Sequence, residues 1–114
     1  MKLNEVITDP FGRKLEGFWW SKQTPKYPKP IPGQLSQDEA EKIYKLIRKA
    51  ERTAGRKLYR GFSTSRIDGS RLGSAEYTKE GWVWPDSLAN HYVRQHRVKP
   101  SDAFLDFIGY QGKD

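Results

Sequence analysis

Four prolines in one short stretch, Pro25, Pro28, Pro30 and Pro32, constrain this chain more than any other feature. Proline lacks the backbone donor and fixes φ, so residues 21–33 are barred from helix and from most ladder pairing. They are expected to form an extended connector between the segments on either side. Its Pro25-Lys26-Tyr27-Pro28 segment could also dock in an aromatic groove of a partner, a mode that short proline spacings permit.

Directly after the connector the chain carries a complete helix start. Ser36 stands at the N-cap with Glu39 three residues on, a capping box, and Leu35 with Ala40 can supply the apolar staple. Ile43, Leu46, Ile47, Ala50 and Ala54 then recur at helical spacing, and Gly55 supplies a stop, which predicts a helix near 37–54. Asp38 and Glu41 precede Lys42 and Lys45 by four residues and support it.

Before the connector, Val6–Thr8 and 15–19 flank Asp9-Pro10-Phe11-Gly12, the composition of a hairpin turn. After the helix, 57–62 reads as a strand and 63–73 as a loop. Residues 74–78 and 81–84 read as a hairpin with Ala75, Tyr77, Trp82 and Trp84 on one face. Pro85 suits the first turn of a helix through 86–96, and Ser101 caps a short last helix carrying Phe104, Leu105, Phe107 and Ile108, with Gly109 as its stop.

The fold class expected is therefore α+β: small antiparallel hairpins packed with one long helix and two shorter ones. With 114 residues the chain forms a single domain, divided into a hairpin at 1–20, a connector at 21–35, a long helix at 36–55 and a C-terminal unit at 57–114. The aliphatic supply is lean, and four Trp, six Tyr and five Phe provide the bulk of the core. Trp82 and Trp84 belong inside, whereas Trp19 and Trp20 stay open between core and binding surface.

Composition narrows the function classes. There is no cysteine, which closes disulfides, thiolate metal sites and cysteine nucleophiles. No apolar run is long enough for a membrane span or a signal peptide, so a cytoplasmic chain without membrane contact is expected. Gly61-Phe62-Ser63-Thr64-Ser65 lacks the last glycine of a nucleophile elbow, and no glycine-rich phosphate loop is present. The net charge is +7, which favours polyanionic partners. Its densest patch is Lys45, Arg48, Lys49, Arg52, Arg56 and Lys57, with Arg60, Arg66, Arg71, Arg94, Arg97 and Lys99 downstream. These residues could neutralise phosphates while Trp19, Trp20 or Tyr27 stack on unpaired bases. Cations at a helix C-terminus also complement its dipole, a purely structural role. The function expected is non-enzymatic nucleic-acid binding. The alternatives are a protein-interaction module, such as a phage or mobile-element modulator of a host factor, and a metal-dependent phosphodiesterase using Asp68, Glu76, His91 and His96.

One spacing stands apart. Ser65-Arg66-Ile67-Asp68 is followed at a distance by His91-Tyr92-Val93-Arg94-Gln95-His96; with cysteines at 65 and 68 this would be a pair–pair zinc arrangement. Histidines five apart on a regular α-helix lie about 140° from each other, so joint action needs a distorted last turn. Residues 59–108 carry Tyr59-Arg60-Gly61-Phe62-Ser63, Arg66, Gly69, Gly73-Ser74, Trp82-Val83-Trp84-Pro85, His91-Tyr92-Val93, His96, Val98, Pro100 and Phe104. In these the segment resembles small bacterial and phage proteins of unassigned function with a Cys-x-x-Cys pair, a Trp-x-Trp-Pro turn and a His-Tyr-Val-x-x-His helix. The resemblance implies a zinc-finger-like unit. Here Ser65 and Asp68 stand where the thiolates would be, and a hydroxyl is a poor zinc ligand at neutral pH. The expectation is a vestigial cluster of Ser65, Asp68, His91 and His96, hydrogen-bonded and without metal or other cofactor.

Overall fold

The computed structural model describes residues 7–20, 25–59 and 63–110. Arg60 and its neighbours at 61–62, part of the expected strand and basic set, lie outside the described residues. Five strands form one sheet: β1 (Ile7–Thr8), β2 (Lys14–Leu15), β3 (Gly55–Leu58), β4 (Ala75–Lys79) and β5 (Trp82–Pro85). Their order is β1-β2-β5-β4-β3. Three helical segments accompany it: α1 (Gln37–Glu51), a π-helix (Leu88–Gln95) and α2 (Asp102–Ile108). The fold is α+β. Among the described residues no helix is long and apolar enough to cross a membrane.

The start of α1 follows the sequence closely. Ser36 Oγ accepts the Glu39 amide at 3.1 Å, and Glu39 Oε1 accepts the Ser36 amide at 2.9 Å. The helix ends three residues sooner than the periodicity predicts. Arg52, Thr53 and Ala54 donate to carbonyls only three residues back, which tightens the chain out of α geometry. Gly55 then enters β3 opposite Thr78 and does not serve as a helix stop.

The hairpin of β4 and β5 forms with Glu80 and Gly81 both at positive φ, the two-residue turn whose twist suits paired strands. Its register sets Tyr77 opposite Trp84 and Lys79 opposite Trp82. The rings of Tyr77 and Trp84 stack at 5.9 Å. Both tryptophans face the helices, where Trp84 and Phe104 are wholly buried 5.5 Å apart and Trp82 meets Phe104 at 5.2 Å. Ile43 and Ile47 of α1, Leu88 and Val93 of the π-helix, and Leu35 complete this core.

The N-terminal hairpin is shorter than expected, with two residues in each strand. It does not stand alone. β2 pairs in parallel with β5, Leu15 beside Val83, making the sheet mixed where only antiparallel hairpins were expected. Gly17 permits this approach: its φ is 83°, and a Cβ there would lie 3.0 Å from Pro85 Cδ and 3.1 Å from Leu88 Cδ1.

Pro85 closes β5 and does not open a helix; the helix begins at Leu88. Its bonds span five residues, the winding of a π-helix, which is rare and is found frequently at functional sites. Arg97, at φ 57°, ends it, and its carbonyl accepts the amides of Gln34 and Leu35, tying the connector to the core. Ser101 caps α2 by accepting the Phe104 amide at 3.2 Å, and Gly109 ends it in the left-handed region.

Candidate nucleic-acid interface and the Ser-Asp-His-His cluster

Of the expected basic residues, Lys45, Lys49 and Arg52 follow the later turns and end of α1, and Arg56 and Lys57 lie on the edge strand β3. All five are exposed. The ion pairs among the described residues engage none of these five. The other predicted cations divide differently. Arg48 is drawn to buried Glu51 at 2.7 Å, whose charge raises the arginine's pKa. Arg94 bonds Glu41 at 3.1 Å and lies over the Tyr44 ring at 4.5 Å. Arg66 donates to the Thr64 carbonyl, Arg71 is bridged to Thr64, and Arg97 is exposed at the π-helix end. The helix dipole accounts for part of the α1 cluster. It does not account for Arg56 and Lys57, which lie past the helix on β3.

β3 is the outer strand of the sheet, and every residue of it is exposed. Tyr59, just beyond, is also exposed, with Lys57 Nζ 5.1 Å from its ring centre. Its hydroxyl is bonded to Glu76 of β4, which pushes the phenol's pKa up.

The four residues of the expected vestigial cluster do meet. The loop from Ser63 to Gly73 is closed by Ser63 and Leu72 pairing across its base and by Ser65 donating to Ser70 at 2.9 Å. Ser65 Oγ accepts the amides of Ile67 and Asp68 at 3.1 and 3.2 Å and lies 2.8 Å from His91 Nε2. With both its acceptor sites filled by amides, the hydroxyl has its proton left for the imidazole, so His91 accepts at Nε2. Burial lowers the His91 pKa and favours that neutral ring. His96 Nε2 lies 3.1 Å from Asp68 Oδ2, and Ser70 donates to Asp68 Oδ1 through both its amide and its hydroxyl. These bonds, led by those from Ser70, hold the Asp68 carboxyl well below the usual range.

The π-winding is what gathers the rings. Closing the helix at the fifth residue puts the His96 amide 3.1 Å from the His91 carbonyl and the two ring centres 4.7 Å apart. It also shifts the helix phase. An α-helical reading sets His96 on the apolar stripe and His91 at its margin; here His91 is buried and His96 is half-buried.

A structural zinc needs four ligands at about 2.0–2.3 Å. The donors here are three, one carboxylate oxygen and two imidazole nitrogens lying within 4.8 Å of one another. Ser65, at the fourth corner, already accepts two amides. The set does not fit a closed zinc site. Glu76, the further carboxylate of the phosphodiesterase alternative, sits on β4 with Tyr59 and is not part of the cluster.

Two groups escaped sequence reasoning. Glu16, after β2, is buried and accepts Ser101 Oγ at 2.6 Å and the Ser101 amide at 3.1 Å. Burial pushes its pKa up to about 7. Glu51, at the end of α1, accepts the Trp84 indole at 3.0 Å, and burial raises its pKa. Glu51 follows Ile43 and Ile47 at four-residue spacing, so a charge on that apolar stripe was the signal that could have found it; nothing comparable marks Glu16. The two N-terminal tryptophans differ in environment: Trp19 packs 5.5 Å from Tyr92, and Trp20 is exposed with Lys29 over its ring.

Compared with known proteins, the chain matches no family model, no curated protein and no solved structure.

Proposed function

We propose that this chain is a cytoplasmic, non-enzymatic protein that binds nucleic acid through the surface formed by the end of α1 and by β3. The observation that carries the reading is the set Lys45, Lys49, Arg52, Arg56 and Lys57: close in the chain, all exposed, and outside the ion pairs of the described residues. A net charge of +7 extends the attraction beyond this surface. Keeping five cations together costs self-repulsion, which a polyanion relieves by releasing its own counterions. The Ser65, Asp68, His91 and His96 cluster acts in this reading as a brace that fixes the 63–73 loop to the π-helix without a metal.

The test is fluorescence anisotropy with a labelled mixed-sequence 20-mer as the salt is raised. Five phosphate contacts give a log–log slope of about −3.5 on a single strand and about −4.5 on a duplex. Arg52→Ala and Lys57→Ala should each lower the slope by about one. No binding to DNA or RNA at about 50 mM salt sinks the proposal. A second reading, a protein-interaction module, is favoured by Leu58, which is 64% exposed on the strand that ends the sheet among the described residues.

A further inference from the structure

We infer that a recess beside β2 receives one unpaired nucleobase, so that the nucleic acid bound is single-stranded; this rests on the nucleic-acid reading above. The recess measures about 180 Å³ and is lined by Phe18, Trp19, Tyr27, Tyr92, Thr64 and Arg66, among others. That is below the about 300–1,000 Å³ of pockets for drug-sized ligands, and it suits a single planar ring system.

Its walls are made for stacking. Phe18 and Tyr27 stand 6.4 Å apart at 52°, and Trp19 and Tyr92 stand 5.5 Å apart at 57°. Neither pair is closed face to face, and since Tyr92 is buried the guest meets Phe18, Trp19 and Tyr27. Phe18, Trp19 and Tyr27 are each half-buried, held by the fold yet open on one side. Tyr92 is fixed from behind, its hydroxyl accepting the Arg66 amide at 3.1 Å. Arg66 places a guanidinium at the rim that spends one donor on the Thr64 carbonyl. Its remaining donors suit a base edge or the adjoining phosphate.

The recess wall and the end of the basic edge strand share an anchor in the chain. Tyr59, at the end of β3, donates its amide to the Ser74 carbonyl at 2.8 Å, and Ser63, on the recess wall, donates to the Gly73 carbonyl at 3.3 Å. Two consecutive residues thus anchor both places. A duplex keeps its bases stacked and paired, and offers the recess nothing unless a base is flipped out.

The experiment uses the full chain with a labelled 20-nucleotide single strand and the corresponding duplex at about 50 mM salt. Wild type should bind the single strand more tightly. Tyr27→Ala and Phe18→Ala should each weaken single-strand binding by about five- to a hundredfold. Their salt slope and duplex affinity should stay at wild-type values. Tyr27→Phe, which keeps the ring, should bind like wild type, and a thermal melt verifies that each variant folds. If both alanine variants hold the single strand as tightly as wild type while Arg52→Ala and Lys57→Ala still reduce the slope, the recess is overturned and the phosphate surface stands. Equal losses on single strand and duplex also overturn it. If wild type binds neither nucleic acid, the underlying reading fails and this one with it.

Discussion

His96 donates its backbone N–H to the carbonyl of His91, five residues back, at 3.1 Å. That bond decides what the C-terminal half can do with its histidines. In an α-helix the two side chains would point about 140° apart, and one short loop could not serve both. In the π-winding the rings lie 4.7 Å apart, and Ser65 and Asp68 reach one each.

Placing thiols at positions 65 and 68 should turn this brace into a metal site. Ser65 Oγ lies 2.8 Å from one imidazole nitrogen and Asp68 Oδ2 lies 3.1 Å from the other, so the S65C/D68C double variant presents two sulfurs beside two nitrogens. Elemental analysis is expected to find one zinc per chain in the double variant, and its melting temperature should drop on adding a chelator. The wild-type melt should respond to neither zinc nor chelator. A clear rise of the wild-type melting temperature with one equivalent of zinc would contradict the metal-free brace.

Within the wild-type brace, Ser65 bears the most. Ser65→Ala removes the acceptor for the Ile67 and Asp68 amides and the donor to buried His91. The expected loss is about 1–3 kcal/mol, measured by urea unfolding, because a buried imidazole nitrogen is left without its partner. A loss below a few tenths would mean that water replaces the hydroxyl at no cost.

A matching relation holds in the core, where the Trp84 indole donates to Glu51 and Arg48 bonds the same carboxylate. Trp84→Phe keeps a ring against Phe104 but strips the buried carboxylate of one donor. Urea unfolding should show a loss of about 2–4 kcal/mol, part from lost volume and part from the unpaired acceptor. Adding Glu51→Gln to that variant should recover a portion, since the neutral amide costs less to bury; no recovery would show that volume alone sets the cost.

The parts of the fold that could be read from the sequence are those written within a few residues. The Ser36–Glu39 box and the Ser101 cap each have a local chemical reason, and each formed; the hairpin of β4 and β5 formed too, with its turn at Glu80 and Gly81, one residue beyond the expected Lys79-Glu80. The parallel pairing of β2 with β5 has no such local reason. Its strands are short and its partners lie far apart in the chain; the Lys14 and Glu16 amides donate to the Gly81 and Val83 carbonyls, and Gly17 permits the approach to Pro85 and Leu88. The meeting of Ser65, Asp68, His91 and His96 was legible from spacing; which histidine is buried was not. That depends on helix phase, and apolar periodicity does not distinguish α from π winding over two turns.

Glu16 makes the stability of the folded chain depend on pH. Its carboxyl is buried against the cap of α2, and its pKa rises from 4.5 to about 7, so the folded chain holds a proton there that the unfolded chain releases. Between those values the native state binds more protons, and stability is therefore lost as pH rises from 4.5 to 7. The full penalty, present above pH 7, is about 3 kcal/mol. Burial of Glu51 acts in the same direction, and the lowered pKa of His91 acts in the opposite one, removing stability as pH falls below 6.5. The wild-type profile mixes all three, and only a difference isolates Glu16. Glu16→Gln cannot ionise and keeps an acceptor for Ser101. Urea unfolding of both proteins should show the variant gaining about 2–3 kcal/mol on wild type between about pH 5 and pH 8. Curves that run parallel across that range would mean that Glu16 is already ionised when folded, its charge carried by the two bonds from Ser101.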